Sequence, residues 1–124
     1  MSTYAFNDKL EREKIVVVSG LVTTNAGDIG TMTFDASRLA TEFGIDTANL
    51  GNYAVIGYEY AVGPVGGDAP TNWISGRPIQ VSGSSVSYPV ITKNIQDKTL
   101  TVSLYNEDSS SMRLYIRVYM IKVA

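Results

Sequence analysis

The chain has 124 residues, with ten Lys and Arg against twelve Asp and Glu and a formal net charge of −2. That is enough chain to bury one core without covalent help, and no basic run is present to neutralise phosphates, so nucleic acid is not an expected partner. Histidine and cysteine are both absent, which removes disulfides, thiolate metal sites, the commonest zinc ligand and the imidazole of a Ser-His-Asp triad. The longest apolar runs are strand-sized and the N-terminus lacks an apolar core, so neither a signal peptide nor membrane insertion is expected.

In chain order, residues 6–14 carry the densest charge, with Lys9, Glu11, Arg12, Glu13 and Lys14 interleaved and Phe6 one helical turn from Leu10. A helix capped by Asn7 or Asp8 would span under three turns and be marginal alone. Residues 1–14 therefore read as a connector or docking arm, and residues 15–124 as one β domain.

The period changes to two at residue 15. Residues 15–23 are rich in β-branched side chains, and residues 29–34 set Met32 and Phe34 on one face. Asn25-Ala26-Gly27-Asp28 between them supplies turn chemistry, so the pair reads as a hairpin. At residues 36–43 the spacing of Leu39 and Phe43 predicts one short helix, with Asp35 or Ser37 as N-cap and Gly44 as the left-handed stop.

Residues 53–62 return to strand. Val55 is expected on one face and Ala54, Ile56, Tyr58, Tyr60 and Val62 on the other, the pattern of a central strand. Residues 63–72 lack any hydrophobic period and are dense in Gly and Pro, which predicts a long exposed loop. Short strands follow at residues 79–81 and 88–92.

The C-terminal segments alternate most regularly. Leu100, Val102 and Leu104 are expected inward in residues 99–105. In residues 112–122, Met112, Leu114, Ile116, Val118 and Met120 face the core while Arg113, Tyr115, Arg117 and Tyr119 face away. With residues 106–111 as a turn, these two segments also read as a hairpin. Seven to eight strands and one helix predict an all-β fold, an antiparallel β-sandwich or jelly roll.

Candidate chemistry is sparse. Trp73, the sole tryptophan, borders the long loop beside Asn72 and near Arg77. An indole next to amide and guanidinium donors can stack a sugar ring and bond its hydroxyls, with Tyr58 and Tyr60 as further aromatic contacts. The same Trp73 could instead plug the end of the sandwich. Glu59 lies on the face opposite both tyrosines, and no second carboxyl pairs with it as glycosidic acid and base work requires. Asn106-Glu107-Asp108 lacks the ligand spacing of a calcium loop, and residues 63–67 lack the ending of a phosphate loop. No metal, cofactor or catalytic residue is expected. Arg113, Tyr115, Arg117 and Tyr119 form a stripe of the composition enriched at protein interfaces, which predicts an oligomer.

Several segments resemble the small β-sandwich heads at the ends of bacteriophage tail fibres and related appendage proteins. They are Val18-Ser19-Gly20, Trp73-Ile74-Ser75-Gly76, Tyr88-Pro89-Val90-Ile91-Thr92, Thr101-Val102-Ser103-Leu104-Tyr105-Asn106 and the terminal Tyr119-Met120-Ile121-Lys122. The resemblance covers about residues 15–124. It implies three associated chains and a head that binds a host surface glycan or completes a virion appendage. Only residues 1–14 stand where such fibres have a shaft, so the expectation is a small homotrimeric structural protein on a capsid, tail or baseplate. It would be made in the host cytoplasm and carried in the virion. The other class that fits is a free-standing monomeric carbohydrate-binding module.

Overall fold

The computed structural model describes residues 15–124, so the expected docking arm at residues 1–14 lies outside the described residues. The order is β1 (Ile15–Thr24), β2 (Ile29–Phe34), α1 (Ala36–Phe43), a 3-10 segment (Thr47–Asn52), β3 (Tyr53–Pro64), β4 (Ile74–Ser75), β5 (Ile79–Gln80), β6 (Ser87–Tyr88), β7 (Val90–Asn94), β8 (Thr99–Tyr105) and β9 (Met112–Lys122). The fold is an all-β, sandwich-like arrangement of antiparallel sheets, with one short α-helix among the described residues. A first sheet runs β1-β9-β3-β4, a second runs β2-β8-β7, and β5 and β6 form a small ribbon.

Alternation builds the core. Leu114, Ile116, Val118 and Met120 of β9 and Leu100, Val102 and Leu104 of β8 are buried, and they pack with Val18, Met32 and Phe34 between the sheets. The helix forms where its caps are expected. The Asp35 side chain accepts from the Arg38 amide at 2.8 Å, Gly44 ends the helix at φ +69°, and Leu39 is fully buried. This caps both helix ends while the apolar side joins the core.

Both expected hairpins are replaced by crossings between the sheets. β1 pairs with β9 from Ile15↔Ile121 to Thr24↔Met112, and β2 pairs with β8 from Ile29↔Tyr105 to Phe34↔Leu100. Each strand has one apolar face, and arching over to the other sheet sets the two apolar faces against each other across the core. Gly20, in the middle of β1, makes room for this packing, because a Cβ there would lie 2.9 Å from Phe34 Cζ.

Asn106, 1% exposed, ties the two arches together. Its backbone N–H donates to Asp28 O at 2.9 Å and its carbonyl accepts from the Gly27 amide at 3.0 Å. Its Nδ2 donates to Thr24 O and Ser110 O, each at 3.0 Å, while Oδ1 accepts from the Asp108 amide at 3.0 Å. The residue that opens the expected hairpin tip is thus a buried and fully bonded clamp.

β3 lies inside the first sheet, flanked by all of β9 but by only two residues of β4. A register shift between Val55 and Gly57 reverses the side-chain parity. Ala54 therefore pairs with Ile121, and it does not share the inner face with Tyr58 and Tyr60, which pair with Val118 and Ile116.

Candidate functional site

The outer face of the first sheet assembles the residues of interest. Antiparallel register aligns Val17, Tyr119 and Gly57 in one row, Ser19, Arg117 and Glu59 in the next, and Leu21, Tyr115 and Ala61 in the third. Gly57 and Ala61 leave room for the large side chains on β9. Ala61 is only 1% exposed although it is on the outer face, so side chains roof the sheet at this point. Tyr115 leans along the strands, since a Cβ at Gly63 would come 3.4 Å from its ring.

Trp73 reaches this face from the end of the loop, one residue before β4. Its ring lies 3.7 Å from the Arg117 guanidinium carbon, and it meets Tyr115 edge-on at 6.3 Å between centroids. Arg117 also approaches Glu59, with Nη1 to Oε1 at 3.7 Å, and the Tyr119 hydroxyl donates to the same Glu59 oxygen. Tyr115, Arg117, Glu59 and Tyr119 are half-buried. The hydrogen bond to Glu59, reinforced by partial burial, raises the Tyr119 pKa above that of an ordinary tyrosine.

One guanidinium thus bridges an indole and a carboxylate. The arrangement gives Arg117 a partner on either side and sets aromatic rings and polar groups next to one another on this face. Glu59 is committed to Tyr119 and Arg117. Among the described residues, no three of His, Cys, Asp and Glu stand together as metal donors.

The five residues expected to bind a ligand do not form one site. Trp73 stands on the outer face, outside the buried core, and so does not plug the sandwich. Asn72 and Arg77 are exposed in the neighbouring loops. Tyr58 and Tyr60 lie on the inner face, stacked at 6.3 Å, with the sheet between them and Trp73. Tyr60 is 4% exposed, and its hydroxyl donates to Arg77 O at 3.0 Å. Burial raises its pKa. Strand parity places both tyrosines opposite Glu59, and because Glu59 faces Arg117, both belong to the interior.

The stripe of Arg113, Tyr115, Arg117 and Tyr119 does share one face, as its alternation requires, and Trp73 joins it. Sequence reasoning kept these as two separate candidates. The link was hidden because Trp73 and Arg117 are joined only through the β3–β4 and β3–β9 pairings. Beside Trp73, an open cleft of about 420 Å³ is lined by Gly63, Asp68, Pro70, Thr71 and Asn72.

Comparison of the chain with family models, with curated proteins and with solved structures finds no match.

Proposed function

We propose that this protein is a non-enzymatic structural subunit of a bacteriophage virion, associated with a tail fibre, capsid or baseplate. It works as a homo-oligomer, three copies being the number that the resemblance implies, and the outer face of the first sheet is its contact surface. One observation carries the reading: the pre-ordered cluster of Trp73, Arg117, Glu59 and Tyr119 is flanked by the exposed apolar side chains Val17 and Leu21. Aromatic and Arg side chains already held in place lose little freedom when a neighbour packs on them.

Light scattering at micromolar concentration tests this. An oligomer is expected for the native chain, and Tyr115→Ala with Tyr119→Ala is expected to reduce it to monomer. An assembly mass that the double change leaves untouched refutes the contact.

A second reading, a monomeric module that binds host glycan, is favoured by the cleft beside Trp73. Asp68, Thr71 and Asn72 there offer groups suited to sugar hydroxyls, and Trp73 follows Asn72 directly in the chain. A glycan array separates the two readings, because a monomer that retains glycans supports the second and an oligomer that retains none supports the first.

A further inference from the structure

We infer that β1 is a strand-addition edge whose occupant is β1 of a second copy of this chain, paired antiparallel across a two-fold axis. β1 has β9 as its one strand neighbour, and β2 is likewise the terminal strand of the second sheet, so both sheets end on one flank. Among the described residues, no hydrogen bond outside the β9 pairing engages the backbone groups of residues 15–23. The inward side chains open toward the two ends of the strand, since Val18 at its middle is fully buried and α1 packs near β1. Val16 and Val22 remain half-buried, whereas Leu114, Ile116 and Val118, facing the same core from β9, are buried.

Edge strands are ordinarily blunted by charge, proline or short length. The opposite edge of the second sheet follows that rule: β7 has five residues, carries Lys93, and is preceded by Pro89. β1 has ten residues and neither a charge nor a proline. Its outer row is apolar, with Ile15 37%, Val17 39% and Leu21 50% exposed.

The same features select a second copy as the occupant. An uncharged strand meets no like charge when it pairs with itself, and a two-fold antiparallel register makes the row self-complementary. Centred on Ser19, that register sets Val17 of one copy against Leu21 of the other. At about 3.3 Å per residue β1 is roughly 33 Å long and the six residues of β2 beneath it roughly 20 Å, each layer being about 10 Å deep. About 530 Å² per copy would be covered, roughly 1,060 Å² in total, the size of a weak and concentration-dependent interface. The contact uses backbone at the flank and shares only the Val17 and Leu21 side chains with the outer-face contact proposed above, so the tyrosine changes tell the two apart.

The test is amide hydrogen exchange on the full chain at about 1 µM and about 200 µM, with the mass read by sedimentation at both. Twofold association is expected at the higher concentration, with alternate amides of residues 15–23 slowed on the order of tenfold or more. Val17→Lys with Leu21→Lys brings four ammonium groups to the axis and is expected to abolish that protection in a chain that circular dichroism shows to be folded. Tyr115→Ala with Tyr119→Ala is expected to leave it in place, which separates this edge from the outer face. A mass at about 200 µM no larger than at about 1 µM, or an added association in which the β1 amides exchange as in the dilute sample, overturns the inference. Protection that survives the lysine changes or vanishes with the tyrosines also overturns it.

Discussion

At one end of the sandwich, where β1 leaves for β2 and β8 leaves for β9, both connections are tied through the buried Asn106. At the same end, since Pro64 and Thr24 both pair with Met112, β3 opens into residues 65–86, which carry only two two-residue strands, β4 and β5. Their side-chain bonds are short-range, such as Gln80 to Ser84 O and Val86 N to Ser84 Oγ. The first region closes the core and must satisfy its own backbone groups, because water does not reach them. The second borders the outer face of the first sheet and leaves most of its polar groups to solvent, while Arg77 O accepts from the buried Tyr60 and Ile79 packs on the core. The fold is therefore held by the arches, and the proposed binding face is served by the less regular segment that leaves from beside them.

The largest expected effect falls at the arches. Asn106→Ala leaves Thr24 O, Ser110 O and the Asp108 amide without their partner, and is expected to cost about 3 kcal/mol in urea unfolding. A loss no larger than that of an exposed Asn would mean that the arches are held by backbone pairing alone.

Gly30→Ala comes next. Its Cβ would lie 2.1 Å from Thr24 Oγ1, in a place where Thr24 is 5% exposed, so a loss of about 2 kcal/mol is expected by the same measurement.

On the other side of the comparison, Trp73→Ala removes a ring stacked on Arg117 outside the core, and a cost of only about 1 kcal/mol is expected. A cost of the size seen for buried aromatic residues would erase the contrast between the regions.

The smallest effect is a dependence on pH at the alkaline end. Tyr119, through its bond to Glu59 and then its burial, and Tyr60, through burial, both have raised pKa values. The folded state thus favours the protonated phenols. That contribution is fully present below the ordinary tyrosine value of about 10 and is lost as pH rises through the folded values. Urea midpoints measured from pH 8 upward are expected to be flat at first and then to fall, and Tyr119→Phe should make the fall shallower.

Much of this architecture is legible along the chain. The strict alternation of β9 assigns Leu114, Ile116, Val118 and Met120 to the core and Arg113, Tyr115, Arg117 and Tyr119 to the other face. Leu39, Phe43 and Gly44 mark the helix at residues 36–43, and of the two expected caps the structure uses Asp35, since caps and apolar spacing are local signals. The two hairpins were misread because a strand with one apolar face looks the same whether its successor pairs beside it or arches over it. The split of Tyr58 and Tyr60 from Trp73 depended on parity within β3, and the irregularity between Val55 and Gly57 kept Ala54 and Ile56 from following it.

What the amino-acid order determined by itself is most of the strands, the helix at residues 36–43 and the greasy faces of β8 and β9, because backbone geometry imposes a period of two or 3.6 on neighbours in the chain. Only the tertiary structure decided which strands share a sheet, that Asn106 would be buried between two arches, and that Trp73 would lie on Arg117. Those contacts join residues tens of positions apart, and they are selected by how the apolar faces close on one another and by which buried polar groups must then find partners.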